Sequence, residues 1–360
     1  MFVKKSLTMH PSIELFRGIA AWMVLTMHYA YFLTPEPSFL AFLWTGVDFF
    51  FVISGFVFGR AIYAGNLAVL PFLIRRFFRI YPLYFCSLIL YYWFSADHPD
   101  KFSFFINHLF FLHTTHSVEE AFFFNPAYWS LPVEMEFYLL VPLLALVAAR
   151  YKYFILILFI SFLLFRIVIV LNPSELLTPY LSTVLSVHLP GILIEFMLGV
   201  LLFKLYLKYQ NKKIPLVYHV LIMTIAITLL LALSLFLTWY GDEGIHDNFF
   251  LKIYFNFLCA LGYSILLFPF LMIIKAKQSF LNSSCLFMGN ISYGVYVFHN
   301  LIPLIMKQLG IQLSGFLGYF LCSFAVVILA LVFYYAVENP SRLFGRKLSK
   351  KLVRIAKYKQ

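Results

Sequence analysis

The sequence predicts an all-α membrane protein: a polytopic bundle of about ten transmembrane helices with both termini in the cytoplasm. Hydrophobic residues make up 63% of its 360 residues, charged residues make up 12%, and mean hydropathy is +0.90. A soluble domain carries about twice that charged fraction. Apolar runs long enough to cross a bilayer recur along the whole chain, which indicates many spanning helices.

Ten apolar runs are assigned as spans. They cover residues 12–34, 42–63, 79–96, 127–149, 152–171, 186–208, 215–240, 249–273, 291–309 and 313–336. The first run directly follows a short basic lead, so we expect an uncleaved helix and not a removed signal peptide. Residues 1–345 are expected to form one transmembrane domain, and residues 346–360 a basic cytoplasmic tail lying on anionic lipid.

The basic residues predict the topology. With a cytoplasmic N-terminus, all but four of the 27 Lys and Arg residues fall at the cytoplasmic side of the spans. The exceptions are Lys101, Arg166, Lys252 and Lys307. This asymmetry fits an even number of spans with both termini inside. The net charge of +12 therefore indicates membrane topology and no nucleic-acid partner. The four cysteines are isolated, which implies neither disulfides nor a zinc site.

The first span carries two ionisable side chains, Arg17 and His28, eleven positions apart. Eleven helical residues make about three turns, so both side chains share one face and lie roughly 16 Å apart along the axis. Ionisable groups inside a membrane usually face a cavity and mark a functional site. The alternative is a snorkelling arginine at one helix end and an interfacial histidine at the other.

The second span opens with Asp48, close in depth to His28. Its carboxylate is expected either to cap the helix N-terminus or to orient the imidazole. Ser54, Gly55 and Gly59 follow at helical spacing and form a face of small residues. A neighbouring helix can pack closely on such a face.

Three arginines, Arg75, Arg76 and Arg79, precede the third span, with Arg76 and Arg79 one helical turn apart. Guanidinium groups match phosphate oxygens in bidentate geometry, so this cluster indicates a phosphate-binding site. The alternative is anchoring of the loop on lipid phosphates at the cytoplasmic surface.

The fourth span begins WSLPVEMEFY and contains Glu134 and Glu136. Two residues two positions apart on a helix point in different directions, so only one of these acids is expected to face a given cavity. Glu134 is one turn from both Ser130 and Tyr138. Helix capping explains one acid better than it explains two.

The ninth span contains Tyr293 and His299, and we place His299 near mid-membrane. A lone buried histidine is more often structural than functional. Arg166 and Glu195 are further intramembrane ions, which can pair across spans five and six. His108, His113 and His116 in the outer loop give only a weak metal signal, because no closing ligand follows at a suitable spacing. No metal site is predicted.

Together these motifs resemble acyltransferase family 3, the integral-membrane O-acetyltransferases of bacteria. The matching elements run in the family's order over residues 12–342. They are Arg17-x10-His28, GVDFFFVISGF, RRFFRIYP, WSLPVEMEFY, ISYGVYVFH and VENPSR. The resemblance implies transfer of an acyl group, usually acetyl from acetyl-CoA, to a sugar hydroxyl of an envelope glycan. Such acceptors include lipopolysaccharide O-antigen and other lipid-linked or exported polysaccharides. The sequence resembles the kind without an appended extracytoplasmic domain.

The resemblance and the residues suggest the same roles. Arg17, Arg76 and Arg79, supported by Arg75, are expected to hold the CoA phosphates at the cytoplasmic face. The distance of roughly 16 Å from Arg17 to His28 is of the order of the pantetheine arm.

His28 is expected to act as general base on the acceptor hydroxyl, or alternatively to be acetylated transiently. Asp48 or Glu134 is expected to orient its imidazole. Ser54, Tyr293 and His299 are expected to line the acyl channel.

The expected partners are acetyl-CoA, an envelope glycan and membrane lipid, with the chain in the bacterial inner membrane. Any partner in envelope biosynthesis is not visible in the sequence. A transporter or flippase for a lipid-linked sugar, with the buried ions as a proton relay, is the main alternative. Against it, we find no inverted repeat of the kind common in transporters. A purely structural membrane protein is the third class, and it has no need of the Arg17–His28 pair.

Overall fold

A computed structural model of the chain describes residues 10–34, 39–65, 67–171, 177–274 and 280–358. Within these ranges the regular structure is helical, and they contain no strand. The charge argument also used five basic residues that lie outside the described residues: Lys4, Lys5, Lys275, Lys277 and Lys359.

Sixteen α-helices occur in the described ranges. The first eight are α1 (Pro11–His28), α2 (Ala30–Leu33), α3 (Gly46–Ala64), α4 (Val69–Phe94), α5 (Lys101–Leu109), α6 (Val118–Phe123), α7 (Ser130–Arg150) and α8 (Phe154–Leu171). The remaining eight are α9 (Pro179–Val187), α10 (Leu189–Tyr209), α11 (Leu216–Asp247), α12 (Phe249–Ile273), α13 (Phe280–Phe298), α14 (Leu301–Gln308), α15 (Gly315–Phe333) and α16 (Asn339–Tyr358). Two 3-10 helices, Phe39–Thr45 and Pro126–Trp129, precede α3 and α7, and a π-helical turn, Tyr334–Glu338, joins α15 to α16.

Seven helical segments of the described ranges are long and apolar enough to cross a membrane. Their outer faces carry many exposed large apolar side chains, as lipid-facing surfaces do. The chain is therefore an all-helical, multi-pass membrane protein. The total of ten spans and the cytoplasmic placement of both termini stay predictions.

Three predicted boundaries differ from the structure. Helix α4 begins at Val69, ten residues before the predicted third span, so the three clustered arginines lie within the helix and not in a loop before it. Helix α1 ends at His28 and α13 ends at Phe298, whereas the predicted spans continued past both points. His299 therefore directly follows the end of helix α13, and its depth near mid-membrane stays a prediction. Hydropathy does not reveal these ends because apolar residues continue beyond them.

The predicted C-terminal tail is mostly helix α16, which packs along α4. Arg75 donates a hydrogen bond to Ser349, the rings of Phe78 and Phe344 meet edge-on at 5.1 Å, and Gly345 lies against Phe78. These contacts make α16 part of the bundle. Contact of its exposed basic face with anionic lipid stays a prediction.

The small-residue face on α3 packs closely against α10. Gly55 lies against the main chain of Phe196, and Gly59 lies against the side chain of Phe203. Gly199 on α10 reciprocates by lying against the carbonyl of Val52. A Cβ atom at any of these three glycines would clash with α10 or α3. The predicted close-packing face is therefore confirmed.

Helices α1 and α13 run side by side in the same direction. Glu14, near the start of α1, lies against Gly289 in the middle of α13, and where both helices end the Tyr29 hydroxyl donates to the His299 carbonyl. Because the two helices run in register, they finish at the same level. His28 and His299 are brought together there, while Arg17 lies towards the other end.

The segment between α4 and α7, which we call the outer loop after its predicted side of the membrane, is fixed by two buried histidines. The rings of His108 and His113 stack with centroids 3.9 Å apart, and the Tyr84 hydroxyl donates to the His108 carbonyl over 2.7 Å. Burial lowers the pKa of His113 to about 4, and burial with the neighbouring His113 ring lowers the pKa of His108 to about 2. Both rings are therefore neutral at neutral pH. His116 lies apart from them, beside Glu120.

Candidate functional site

A cluster of arginines occupies one end of the bundle. Arg17 is 8% exposed and donates to Glu14 over 3.4 Å. Electrostatic interactions connect it to Arg79, and connect Arg79 to Arg76, whose guanidinium carbon lies 5.0 Å from the centre of the Phe58 ring. The structure thus brings together three of the four predicted phosphate-binding arginines. The fourth, Arg75, turns away towards α16.

The junction of the π-helical turn and α16 adds a pair of charged residues to this cluster. Arg342 donates to the buried Glu338 over 3.3 Å, and both residues interact electrostatically with Arg17 and Arg79. Glu338 ends the π-helical turn, a geometry often found at functional sites. Like charges this close repel one another, so the cluster favours an anion.

A narrow cavity leads from these arginines into the bundle, and we call it the arginine cavity. Its volume is about 50 Å³. Its polar lining consists of Arg17, Ser54, Arg79, Ser130, Glu134, Ser292, Tyr293 and Tyr296. Both Ser54 and Tyr293, which were predicted to line an acyl channel, are therefore on its wall. The Tyr293 hydroxyl donates to the Ile80 carbonyl over 3.1 Å.

The two acids of α7 point in different directions, as predicted. Glu134 faces the arginine cavity, where it accepts hydrogen bonds from Tyr138 and, over 3.1 Å, from Ser54. Glu136 instead contacts the His188 ring over 2.5 Å and accepts from the Leu189 amide over 2.9 Å. Glu136 therefore caps the N-terminus of α10.

His28 and His299 form a hydrogen-bonded pair. The Nδ1 atom of His28 lies 2.9 Å from the Val24 carbonyl oxygen and 3.3 Å from Nε2 of His299. The Nδ1 atom of His299 lies 2.8 Å from the Tyr296 carbonyl oxygen. Since a carbonyl oxygen can only accept, Nδ1 carries the proton in both rings. The Nε2 atom of His28 keeps its lone pair, and it has no hydrogen-bond partner among the described residues.

His28 lines a second cavity of about 420 Å³, which we call the histidine cavity. Apolar and aromatic side chains form most of its wall, including Val24, Trp44 and Trp129. Val47 lines both this cavity and the arginine cavity. The two cavities therefore adjoin at Val47, and a reactant spanning them would have to displace this side chain.

Neither predicted orienting carboxylate reaches the His28 ring. Among the described residues the ring bonds to Val24 and His299, while Glu134 bonds elsewhere. Asp48 accepts a hydrogen bond from Asn256 over 3.3 Å and lines a third cavity. The contact expected from a carboxylate is made by a second imidazole.

Arg166 and Glu195 interact electrostatically across α8 and α10, but they form no direct salt bridge in the part of the chain that the structure describes. Both residues line the third cavity with Asp48. The Arg166 guanidinium donates instead to the main-chain carbonyls of Ile253, over 2.5 Å, and Gly191. It therefore joins α8 to α10 and α12. No group of three or more potential metal ligands occurs among the described residues.

Comparison with known proteins identifies the family. The family model described as "Acyltransferase domain" matches residues 10–335. The chain belongs to this acyltransferase family. It is 26% identical over 313 residues, 84% of this chain and 86% of the relative, to the protein named "Putative acetyltransferase ORF330" of Acidianus two-tailed virus. It is also 40% identical over 80 residues, 21% of this chain and 39% of the relative, to "Protein 2 in picA locus" of Rhizobium radiobacter. No solved structure matches the chain.

The candidate site of this acyltransferase also contains residues that the sequence reasoning did not assign to it. Arg342 and Glu338 belong to the arginine cluster, and the VENPSR motif was the signal that pointed to them. Tyr296 supports the histidine pair through its carbonyl, and its hydroxyl donates to the Ala127 carbonyl over 2.7 Å. Tyr296 lies within the ISYGVYVFH motif, but it was assigned no role because its partners are far away in the sequence.

Proposed function

We propose that this enzyme is an O-acetyltransferase that moves an acetyl group from cytoplasmic acetyl-CoA to a hydroxyl of an envelope glycan. The observation that carries the proposal is the His28–His299 pair, which leaves an unprotonated nitrogen of His28 at a cavity. We further propose that the protein resides in the bacterial inner membrane, where such glycans are built. Lipopolysaccharide O-antigen and other lipid-linked or exported polysaccharides are the acceptors considered.

The arginine cluster is suited to the donor. Arg17, Arg76, Arg79 and Arg342 gather positive charge at one end of the bundle, and the CoA moiety carries phosphates that guanidinium groups bind well. Arg17 is buried inside the bundle, so its guanidinium is not exposed to lipid headgroups as simple anchoring would require. From Arg17 to His28 the axial distance is roughly 16 Å, which suits a thioester carried on a long arm.

The chemistry assigned to His28 is general base catalysis. Nε2 takes the proton of the acceptor hydroxyl as its oxygen attacks the acetyl carbonyl carbon. The C–S bond of the thioester then breaks, and the proton held by His28 passes to the CoA thiolate. The Val24 carbonyl and His299 hold the imidazole and stabilise its transient positive charge through Nδ1–H.

The proposed role of the arginine cluster in donor binding is tested by measuring the affinity for acetyl-CoA. The double variant Arg76→Gln with Arg79→Gln should raise the Kd for acetyl-CoA at least tenfold, because each charged hydrogen bond contributes about 1.5–3 kcal/mol. Arg150→Gln, at the exposed end of α7, is the matched control and should leave the Kd unchanged.

Purified protein in proteoliposomes with labelled acetyl-CoA tests the function itself. Appearance of label in glycan supports the acyltransferase proposal. Glycan uptake without label transfer would instead indicate a transporter. An unchanged Kd in the arginine double variant would assign that cluster to lipid anchoring.

A further inference from the structure

A third cavity adjoins the histidine cavity, and we call it the acidic cavity. Its volume is about 720 Å³, within the range of roughly 300–1,000 Å³ that is usual for small-molecule sites. Trp44, Phe122 and Trp129 line both cavities. A ligand in the acidic cavity would therefore approach His28 across an aromatic wall.

Two buried carboxyl groups define the chemistry of this cavity. Asp48 and Glu195 are each 1% exposed, and both line it. No N–H or hydroxyl group of the described residues donates to Oδ2 of Asp48 or to Oε2 of Glu195. The two groups also face each other within hydrogen-bonding reach. A hydrogen bond between two carboxyl groups needs a proton on one of them, and the pair still has more acceptor positions than donors. Burying acceptors without donors is costly, so a ligand that brings further donors would be favoured here.

The two polar side chains next to these acids, Arg166 and Asn256, are already engaged. The Arg166 guanidinium is used by the carbonyls of Ile253 and Gly191, and the Asn256 amide is used by Asp48. The cavity thus offers acceptors from its buried acids and broad apolar surfaces from its two indoles. An anionic group placed at the two acids would meet like charge there, while the cationic side chains of Arg166 and Lys252 lie elsewhere in the lining.

We propose that the acidic cavity binds the acceptor glycan through a neutral, hydroxyl-rich sugar residue. Hydroxyl groups of the sugar donate to Asp48 and Glu195, and an apolar face of its ring packs on Trp44 or Trp129. A hydroxyl at the far edge of the bound sugar reaches the His28 cavity past the shared aromatic wall. Asp48 is thereby assigned to acceptor binding and not to orientation of the base. The inference rests on the proposed acyltransferase function for its acceptor.

Equilibrium dialysis of the full-length protein in detergent tests this site without relying on catalysis. The probes are radiolabelled octyl glycosides of neutral hexoses, with octyl β-D-glucuronide as the anionic comparison. The wild type should bind at least one neutral glycoside and bind the glucuronide more weakly. Glu195→Gln should weaken that binding about tenfold, since the sugar loses a hydrogen bond to the charged carboxyl pair. Glu119→Gln, an exposed acid of the outer loop, is the matched control and should bind as the wild type does.

Acetyl-CoA affinity, measured on the same variants, separates the two proposals. Unchanged acetyl-CoA binding in Glu195→Gln together with weakened glycoside binding supports the acceptor site. Trp129→Leu should also weaken glycoside binding, and it keeps the test valid if Glu195→Gln does not fold. Equal glycoside binding by the wild type and both variants, preferential binding of the glucuronide, or no binding of any neutral glycoside would overturn the inference. Failure of the wild type to bind acetyl-CoA would count against the proposed function, and the dialysis result would stand.

Discussion

Replacing His299 with leucine removes the imidazole that accepts from Nδ1–H of His28 over 3.3 Å. A hydrogen bond to a charged group contributes about 1.5–3 kcal/mol. The Val24 carbonyl shares the same N–H, at 2.9 Å, and limits the loss to roughly 1–2 kcal/mol in the transition state. We therefore expect kcat for acetyl transfer to fall roughly 5- to 30-fold.

The assay is the initial rate of label transfer at saturating acetyl-CoA, with the Kd for acetyl-CoA measured separately. His299→Gln supplies a side-chain acceptor and should recover part of kcat, whereas a merely structural role for His299 would not predict this difference. His219→Leu makes the same change at a buried histidine of α11 and should leave kcat unaltered. Wild-type kcat in a folded His299→Leu variant would refute the role of the pair. Equal losses in the leucine and glutamine variants would refute it as well.

Three further predictions concern the donor site, the packing and the outer loop. Arg342→Gln should raise the Kd for acetyl-CoA roughly tenfold, because one charged hydrogen bond in the arginine cluster is lost. Gly55→Leu should lower the thermal unfolding temperature in detergent or prevent folding, because overpacking α3 against Phe196 costs at least about 1–3 kcal/mol. The buried His113 has a pKa of about 4, below its value in an unfolded chain, so it stabilises the loop fully above about pH 6.5 and loses up to about 3 kcal/mol as the pH falls towards 4. His113→Phe should therefore flatten the decline in unfolding temperature between pH 7 and pH 5.

Each of these three predictions can be contradicted by a specific result. Lys350→Gln changes an exposed charge on the same helix as Arg342, and an equal effect of both variants would indicate a general loss of charge. A Gly55→Leu variant as stable as the wild type would contradict the close approach of α3 and α10. An equally steep pH dependence in His113→Phe would assign the acid sensitivity to another group.

Local sequence patterns predicted the features that depend on helical periodicity. The spacing of Arg17 and His28 indicated that both serve the interior, and the structure has each lining a cavity. The two-residue separation of Glu134 and Glu136 predicted their divergence. The small residues after Asp48 predicted a tight helix contact. In each case the residue spacing along a single helix was enough to predict which way the side chains point.

The remaining features depend on contacts between distant segments. His299 meets His28 because α1 and α13 pack in register, and no pattern within either helix encodes that register. The placement of Asp48 away from His28 follows from its contact with Asn256 on α12. The predicted spans place Asp48 and His28 at similar depth in the membrane. Depth alone could not show that Asp48 faces α12 and not the His28 ring. Arg342 reaches the arginine cluster because α16 folds back along α4.

The central claim is that His28 takes the proton of the acceptor during acetyl transfer. The most direct measurement compares label transfer from acetyl-CoA to glycan by the wild type and His28→Ala, both reconstituted in proteoliposomes. The account predicts that His28→Ala binds acetyl-CoA with wild-type affinity and inserts normally, while transfer falls by at least about 10²-fold. Transfer within a few-fold of the wild type would contradict the claim.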